Sequence, residues 1–246
     1  YEIPLRLVGS EMCIRDREYS KYINNEHELA IDERKVHMEE NMIITISRQY
    51  GSGGSQVAKI LAERMGVWCY DRDILTIAAE RIGNEELTED TINDLNYKRN
   101  DVASAGITGV MGMGNIPIYN QMFLEQAKII RKLANYGSAV FLGRCADYIL
   151  KDIKNCTSVY LYADREFRKN RVKEIYGSNA EIMDKEEKNR ADYYNYYTGN
   201  RWGDINNYDF AINTSKVSFE EAADLIYRFA KDKQKNLKDL SLIHIS

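Results

Sequence analysis

The chain has 246 residues, 44% of them hydrophobic, and 34 basic against 38 acidic side chains give a formal net charge of −4. Such a chain can bury a substantial core as one large or two small domains, which excludes extended disorder. No global positive field is available to hold a nucleic acid polymer, and no apolar run approaches the roughly 20 residues that cross a bilayer, so the expectation is a cytoplasmic protein with no nucleic acid polymer and no membrane among its partners.

Residues 1–17, YEIPLRLVGSEMCIRDR, show no periodicity and none of the basic, apolar and small-residue zones of a secretory signal. Together with the final SLIHIS, residues 241–246, they resemble read-through of sequencing-adapter sequence, and both are set aside in reading the fold. Residues 18–41 are polar and charged with a thin apolar stripe, so 1–41 is taken as an extension outside the core, with Met38 or Met42 as a natural start. Four cysteines, at 13, 69, 145 and 156, form no C-x-x-C pair and accompany only three histidines. They read as reduced thiols rather than metal ligands.

Residues 42–46 are a β-branched run followed at once by glycine and polar residues, a buried strand ending in a tight loop. From Gln56 the period becomes helical, with Val57, Ile60, Leu61 and Met65 on one face and Gly66 closing the segment. A second strand is expected at 67–70 and a helix at 73–82. The pattern weakens over 83–117, where glycines at 106, 109, 112 and 114 suggest a mobile insertion. A helix follows at 119–135. Strands are expected at 139–142 and 158–162, each followed by a helical stretch, at 145–151 and 164–176, and a polar, aromatic helix at 181–197. Residues 210–213 read as the last strand, and Ser218, with Glu221 three residues on, opens a final helix with a capping box. Five strands alternating with helices predict an α/β fold, a parallel sheet covered on both faces in three α/β/α layers.

In such a sheet, ligands sit beyond the carboxyl ends of the strands. The loop after the first strand reads Ser47-Arg-Gln-Tyr-Gly-Ser-Gly-Gly-Ser55. Glycines 51, 53 and 54 let backbone amides converge, and the following helix offers its positive end, so Gly51, Ser52, Gly53, Gly54 and Ser55 form a candidate cradle for ATP phosphates. Against the pattern G-x-x-x-x-G-K-[ST], Arg48 stands at the first glycine, Gly53 and Ser55 are kept, and Gly54 stands where lysine belongs. Losing one well-placed donor of that kind costs about 3 kcal/mol, or ~100-fold in rate. Arg48, whose forked donors suit a phosphate, is the candidate substitute.

The segments ITISRQYGSGGSQVAKILAERMG, YDRDIL, FLGRCADYIL and INTS, in this order at β-α junctions, resemble the cytidylate kinase-like proteins, relatives of bacterial cytidylate kinase within the nucleoside monophosphate kinases. The resemblance covers residues 42–233. It implies a P-loop NTPase-like domain over 42–235, with a nucleoside-monophosphate-binding insertion at 83–117, a lid at 177–205 and a tail at 236–246. It further implies ATP and Mg²⁺ as cofactors and nucleotides as partners, with Ser55 as a candidate Mg²⁺ ligand. By position, Asp71 faces the acceptor nucleotide, and Arg144 in Gly143-Arg144 matches an arginine that grips the acceptor phosphate. Cys145 replaces the base-reading aspartate of that segment, a role Asp147 can take over. Arg168 and Arg171, on one face of the helix after the fourth strand, resemble arginines that neutralise the transferring phosphate, as does Arg190 in the lid. Asp184, Glu187 and Arg190 follow the family's lid spacing, with Met183 in place of its first arginine. Asn213-Thr214-Ser215 stands near the adenine pocket. Tyr193, Tyr194, Tyr196, Tyr197 and Trp202 either stack on a base or, as is commoner at such density, pack on one another. The function implied is ATP-dependent phosphoryl transfer to CMP or dCMP. A nucleotide-binding module without turnover and a kinase of another small acceptor are the alternatives.

Overall fold

The computed structural model describes residues 41–71, 73–82, 118–177 and 180–243, all within one unit, His37–Ser246. The expectations for 1–40, for the insertion at 83–117 and for 244–246 lie outside the described residues.

The chain forms β1 (Ile43–Arg48), α1 (Gly54–Met65), β2 (Trp68–Tyr70), α2 (Asp73–Ile82), α3 (Ile118–Tyr136), β3 (Ala139–Leu142), α4 (Ala146–Ile149), β4 (Cys156–Tyr162), α5 (Arg165–Tyr176), α6 (Ala180–Thr198), a short 3-10 turn (Ile205–Asn207), β5 (Phe210–Asn213) and α7 (Phe219–Ile243). The five strands pair in the order β2-β3-β1-β4-β5, all parallel. β1 therefore lies at the centre, with its carboxyl end and the loop beyond it at the middle of the sheet edge.

Alternation along the strands sends two sets of side chains to two layers. Ile44 and Ile46, with Val140, Leu142, Val159, Leu161 and Ile212, pack against Val57, Ala58 and Leu61 of α1 and Ala222, Ala223 and Ile226 of α7. Each buried Leu or Ile stabilises the fold by roughly 1.5–3 kcal/mol relative to exposure. The opposite face is covered through α4, with α3 lying against α4 and α2. Tyr70 stacks on Phe141 at 5.3 Å between ring centroids.

The elements differ from the sequence reading mainly at their ends. β1 extends to Arg48 rather than stopping at residue 46, because Ser47 and Arg48 pair with Tyr160 and Leu161 of β4. β4 likewise begins at Cys156, two residues before the expected start, and the α4 stretch shrinks to Ala146–Ile149. α7 continues through Ile243, so the described part of the expected tail is helical. At its start the Glu221 amide donates to Ser218 Oγ at 3.1 Å, the expected N-cap.

Candidate functional site

The loop between β1 and α1 is held from several sides. The Gln49 amide donates to Leu161 O, continuing the ladder, and Ser52 Oγ donates to Gln49 O at 2.9 Å. Thr214 Oγ1, just past β5, donates to Ser52 O at 2.6 Å. Gly53 occupies the left-handed region at φ 82°, and a Cβ there would also run into the Phe219 ring of α7, so both backbone and space demand glycine. A Cβ on Gly51 would press on Arg168 and Val172 of α5. Among the described residues no backbone acceptor takes the amides of Gly51, Gly53, Gly54 or Ser55. Four amides with no backbone acceptor, two just ahead of α1 and two on its first turn, have the arrangement of donors that suits an anion at a helix start.

Arg48 is 5% exposed, and its stem runs over Gly54. A Cβ at position 54 would lie 2.6 Å from Arg48 Cγ and 2.7 Å from its Cβ. The position where lysine is expected is thus the one across which the arginine passes, and the two residues exclude each other's side chains. Arg48 Nη2 lies 3.6 Å from Asp71 Oδ1 at the end of β2, so Asp71 shares the site with Arg48. Ser55 is exposed on the first turn of α1. The Ser55 hydroxyl is an oxygen donor of the kind Mg²⁺ takes, and the ion needs few protein ligands when phosphates supply the rest.

Helix α6 brings one face to this loop. Glu187 Oε2 accepts from the Tyr50 amide at 2.7 Å. Arg190 Nη1 donates to Arg48 O at 3.0 Å, with its guanidinium 5.0 Å from the Tyr50 ring centroid. From α5, the largely buried Arg168 donates to Tyr50 O at 3.3 Å. Arg171 contacts Gln56 Oε1 of α1 and lies over the Phe219 ring. The structure therefore brings Arg48, Arg168 and Arg190 to the loop itself and Arg171 to its flank. Met183, standing where a lid arginine was expected, is fully buried and anchors the helix. Arg165 and Asp184 clip α5 to α6 through two hydrogen bonds.

The loop after β3 is built differently. Gly143, Arg144 and Cys145 have φ values of 74°, 59° and 55°, three left-handed residues in succession, two of them not glycine. Each non-glycine costs of order 1–3 kcal/mol and persists only where the surroundings enforce it. Arg144 is 2% exposed, inside the protein. Burial pushes the Cys145 thiol well up, so it stays protonated. Asp147 is also buried, and its carboxylate accepts from Ser47 Oγ at 3.3 Å and from Tyr194 of α6 at 2.7 Å. Desolvation raises its pKa, opposed by these hydrogen bonds. Asp147, expected to read an acceptor base, is thus engaged by two protein hydroxyls.

The aromatic residues of α6 pack on one another and on neighbouring elements. Tyr197 stacks on Phe123 at 4.0 Å, Tyr193 tilts against Tyr197, and Trp202 meets Tyr160 and Tyr194 edge-on. Asn213 and Ser215 hold each other and Asp164. The sequence reading missed three contributors: Tyr50, the partner of Glu187, Arg168 and Arg190; Thr214 as a loop anchor; and Tyr194 on Asp147. The position of Tyr50 inside the glycine loop was the one available signal.

The chain matches the model of the cytidylate kinase-like family over residues 43–216. It belongs to that family. Among curated proteins none matches. Among solved structures, this cytidylate kinase-like chain is similar to an uncharacterized protein from Eubacterium ventriosum ATCC 27560, at 30% identity and TM-score 0.57, over 77% of this chain and 98% of that one. It is similar in fold to a shikimate kinase from Acinetobacter baumannii in complex with shikimate, at 17% identity and TM-score 0.47, over 81% and 97% of the two chains. A gluconokinase from Sinorhizobium meliloti 1021 stands at 15% identity and TM-score 0.43, over 83% and 97%. Likenesses of that size concern the fold and carry nothing about the acceptor. Phosphoryl transfer to a small substrate is the chemistry that this kinase-like family membership supports. Among the described residues no helix is long and apolar enough to cross a membrane.

Proposed function

We propose that the protein transfers the γ-phosphoryl group of ATP to a nucleoside monophosphate, CMP or dCMP by family analogy, with Arg48 in place of the phosphate-loop lysine. The observation that carries this reading is the mutual exclusion of Arg48 and Gly54, with Cγ 2.6 Å from where a Cβ would stand. A loop that merely lost its lysine has no need for a buried arginine laid across the vacated position. Here a cation enters the same space from the strand side.

In this reading the amides of Gly51, Gly53, Gly54 and Ser55 hold the ATP phosphates, and Arg48 supplies the charge that lysine otherwise brings. An oxygen of the acceptor phosphate attacks the γ-phosphorus, the bond to the bridging β,γ-oxygen breaks, and ADP leaves. Arg168 and Arg190 stand at the loop to neutralise the transferring group, with Arg171 beside them, while Arg144 takes the acceptor phosphate. When bound, Mg²⁺ would supply further charge neutralisation on the phosphate oxygens, and Ser55 is the residue that would hold it, while Asp71 would face the acceptor nucleotide. Catalysis then rests on positioning and charge, with no covalent intermediate.

A kinase of another small acceptor is favoured by one observation: Asp147 is occupied by Ser47 and Tyr194. One experiment separates the two readings. The full chain with Mg-ATP is given CMP, dCMP, UMP, AMP and GMP in turn, and ADP is measured. ADP formation with CMP or dCMP is expected. A folded sample that binds ATP yet forms ADP with none of the five overturns the nucleoside monophosphate acceptor.

A further inference from the structure

Tyr50 is the loop residue on which α5 and α6 converge. Its amide donates to Glu187 Oε2 of α6 at 2.7 Å, and its carbonyl accepts from Arg168 Nη1 of α5 at 3.3 Å. These partners stand 137 and 118 positions away in sequence, so tertiary packing fixes the Tyr50 backbone from two sides and with it the direction of the side chain. The ring meets Tyr176 of α5 at 5.8 Å between centroids, and the Arg190 guanidinium of α6 lies over it at 5.0 Å. Burial holds the Tyr50 phenol above its ordinary range, so it is uncharged near pH 7. What Arg190 meets is therefore a neutral ring face.

Arg190 is fixed at this loop by two different contacts, one N–H on Arg48 O at 3.0 Å and the Tyr50 ring. An aromatic face attracts a cation through its quadrupole without cancelling the charge or taking an N–H. A guanidinium oriented by a ring keeps both for a phosphoryl oxygen. We propose that Tyr50 is a positioning residue for phosphoryl transfer, its ring setting the Arg190 guanidinium where the transferring group passes. This rests on the reading of the protein as a kinase with Arg190 at that group. The amides assigned to the ATP phosphates take no part in the contact, so the ring acts on the transfer step and not on ATP binding.

The full chain with Mg-ATP and the fastest of the five nucleoside monophosphates is compared as wild type, Tyr50→Phe, Tyr50→Leu, Tyr176→Leu, Arg190→Ala and the Tyr50→Leu, Arg190→Ala pair, with folding of each checked by thermal melting. Tyr50→Leu removes the ring and keeps an apolar side chain, and kcat is expected to fall about tenfold with KM for ATP unchanged. Tyr50→Phe keeps the ring and is expected to retain the wild-type kcat. Tyr176→Leu removes the ring neighbour of Tyr50 but not the contact with Arg190, and leaves kcat unchanged. In the Arg190→Ala background Tyr50→Leu is expected to have no further effect. The Arg190 Nε–H proton resonance gives a reading that needs no turnover: the ring displaces it from the free-arginine position in the wild type, Tyr50→Phe keeps the displacement, and Tyr50→Leu abolishes it. The positioning role is overturned by equal losses from Tyr50→Phe and Tyr50→Leu, by a raised KM with kcat unchanged, by an equal loss from Tyr176→Leu, or by a loss that persists in the Arg190→Ala background. ADP formation by a wild type whose Arg190 resonance is not displaced overturns the role alone. A displaced resonance in a wild type that forms ADP with none of the five acceptors overturns the transfer reading, and the role falls with it.

Discussion

The loop after β1 and the loop after β3 sit side by side at the carboxyl edge of the sheet, yet they are made by opposite means. The first is shaped by clearance: side chains are absent where Arg48, Phe219 and α5 press in, and four amides are left with no backbone acceptor among the described residues. The second is shaped by enforcement: Arg144 and Cys145 are held left-handed, and Asp147 is buried under two hydroxyl donors. In the first loop backbone amides stand without a backbone acceptor; in the second the Asp147 carboxylate is taken by two protein hydroxyls. The difference teaches that neighbouring loops on one sheet edge can be fixed by opposite means, one by the space left around its backbone and the other by surroundings that hold a strained backbone.

The sharpest way to break this contrast is Arg48→Ala. Loss of the buried cation is expected to lower phosphoryl transfer by ~100-fold or more with the fold retained, read as the rate of ADP formation. A variant with the wild-type rate removes Arg48 from the chemistry. Next in size, Gly54→Ala is expected to destabilise the protein by about 1–3 kcal/mol through overpacking on the Arg48 stem. In an Arg48→Gly background, which removes both the Cγ and the Cβ that a Cβ at 54 would meet, the same change becomes stabilising by about 0.5–1 kcal/mol, the ordinary gain of alanine over glycine in a helix. Denaturant midpoints of the four proteins check this reversal of sign, and equal effects in both backgrounds would refute the clearance argument.

In the loop after β3, Tyr194→Phe leaves Asp147 short of its 2.7 Å donor and is expected to cost about 1–3 kcal/mol of stability. The pH dependence is subtler. Burial raises the Asp147 pKa above the ordinary value of 3.8, so the folded state holds this proton more tightly than the unfolded chain. The contribution is fully present below pH 3.8 and is lost as pH rises through the raised folded value. Asp147→Asn is expected to flatten that part of the stability curve, seen in denaturation series from pH 3.5 to neutrality; an unchanged slope assigns it to another group. The smallest effect is expected from Arg165→Ala, which unclips an exposed pair and shifts the melting temperature barely beyond error.

The order of strands and helices was legible because each buried strand is a short apolar run and each helix keeps a 3.6-residue stripe. β3 and β5 match the expected bounds residue for residue. β1 was cut short at Ser47 and Arg48 because a polar side chain at a strand end looks like loop until its ladder partner is known. The glycine loop and the absent lysine were likewise readable, since spacing within nine residues defines them. The contacts of Glu187 with Tyr50, Tyr194 with Asp147 and Thr214 with Ser52 were not. Each spans from 47 to 162 positions of sequence, and only the packing of α6 and β5 against the sheet brings the partners together. Met183 illustrates the limit from the other direction. In sequence it is a missing cation, whereas in the structure it is a fully buried core residue.

The pairing of Arg48 with Gly54 also constrains how such a loop can change over generations. A chain with lysine at position 54 gains nothing from arginine at 48, because the two stems collide. A chain with glycine at 54 and no arginine at 48 has no cation within residues 47–55. Every route between the two designs that changes one position at a time crosses a crowded or a depleted intermediate, so each design is an isolated peak and the exchange is difficult to reverse. A search keyed to the lysine alone would therefore pass over a loop whose buried arginine enters from the strand.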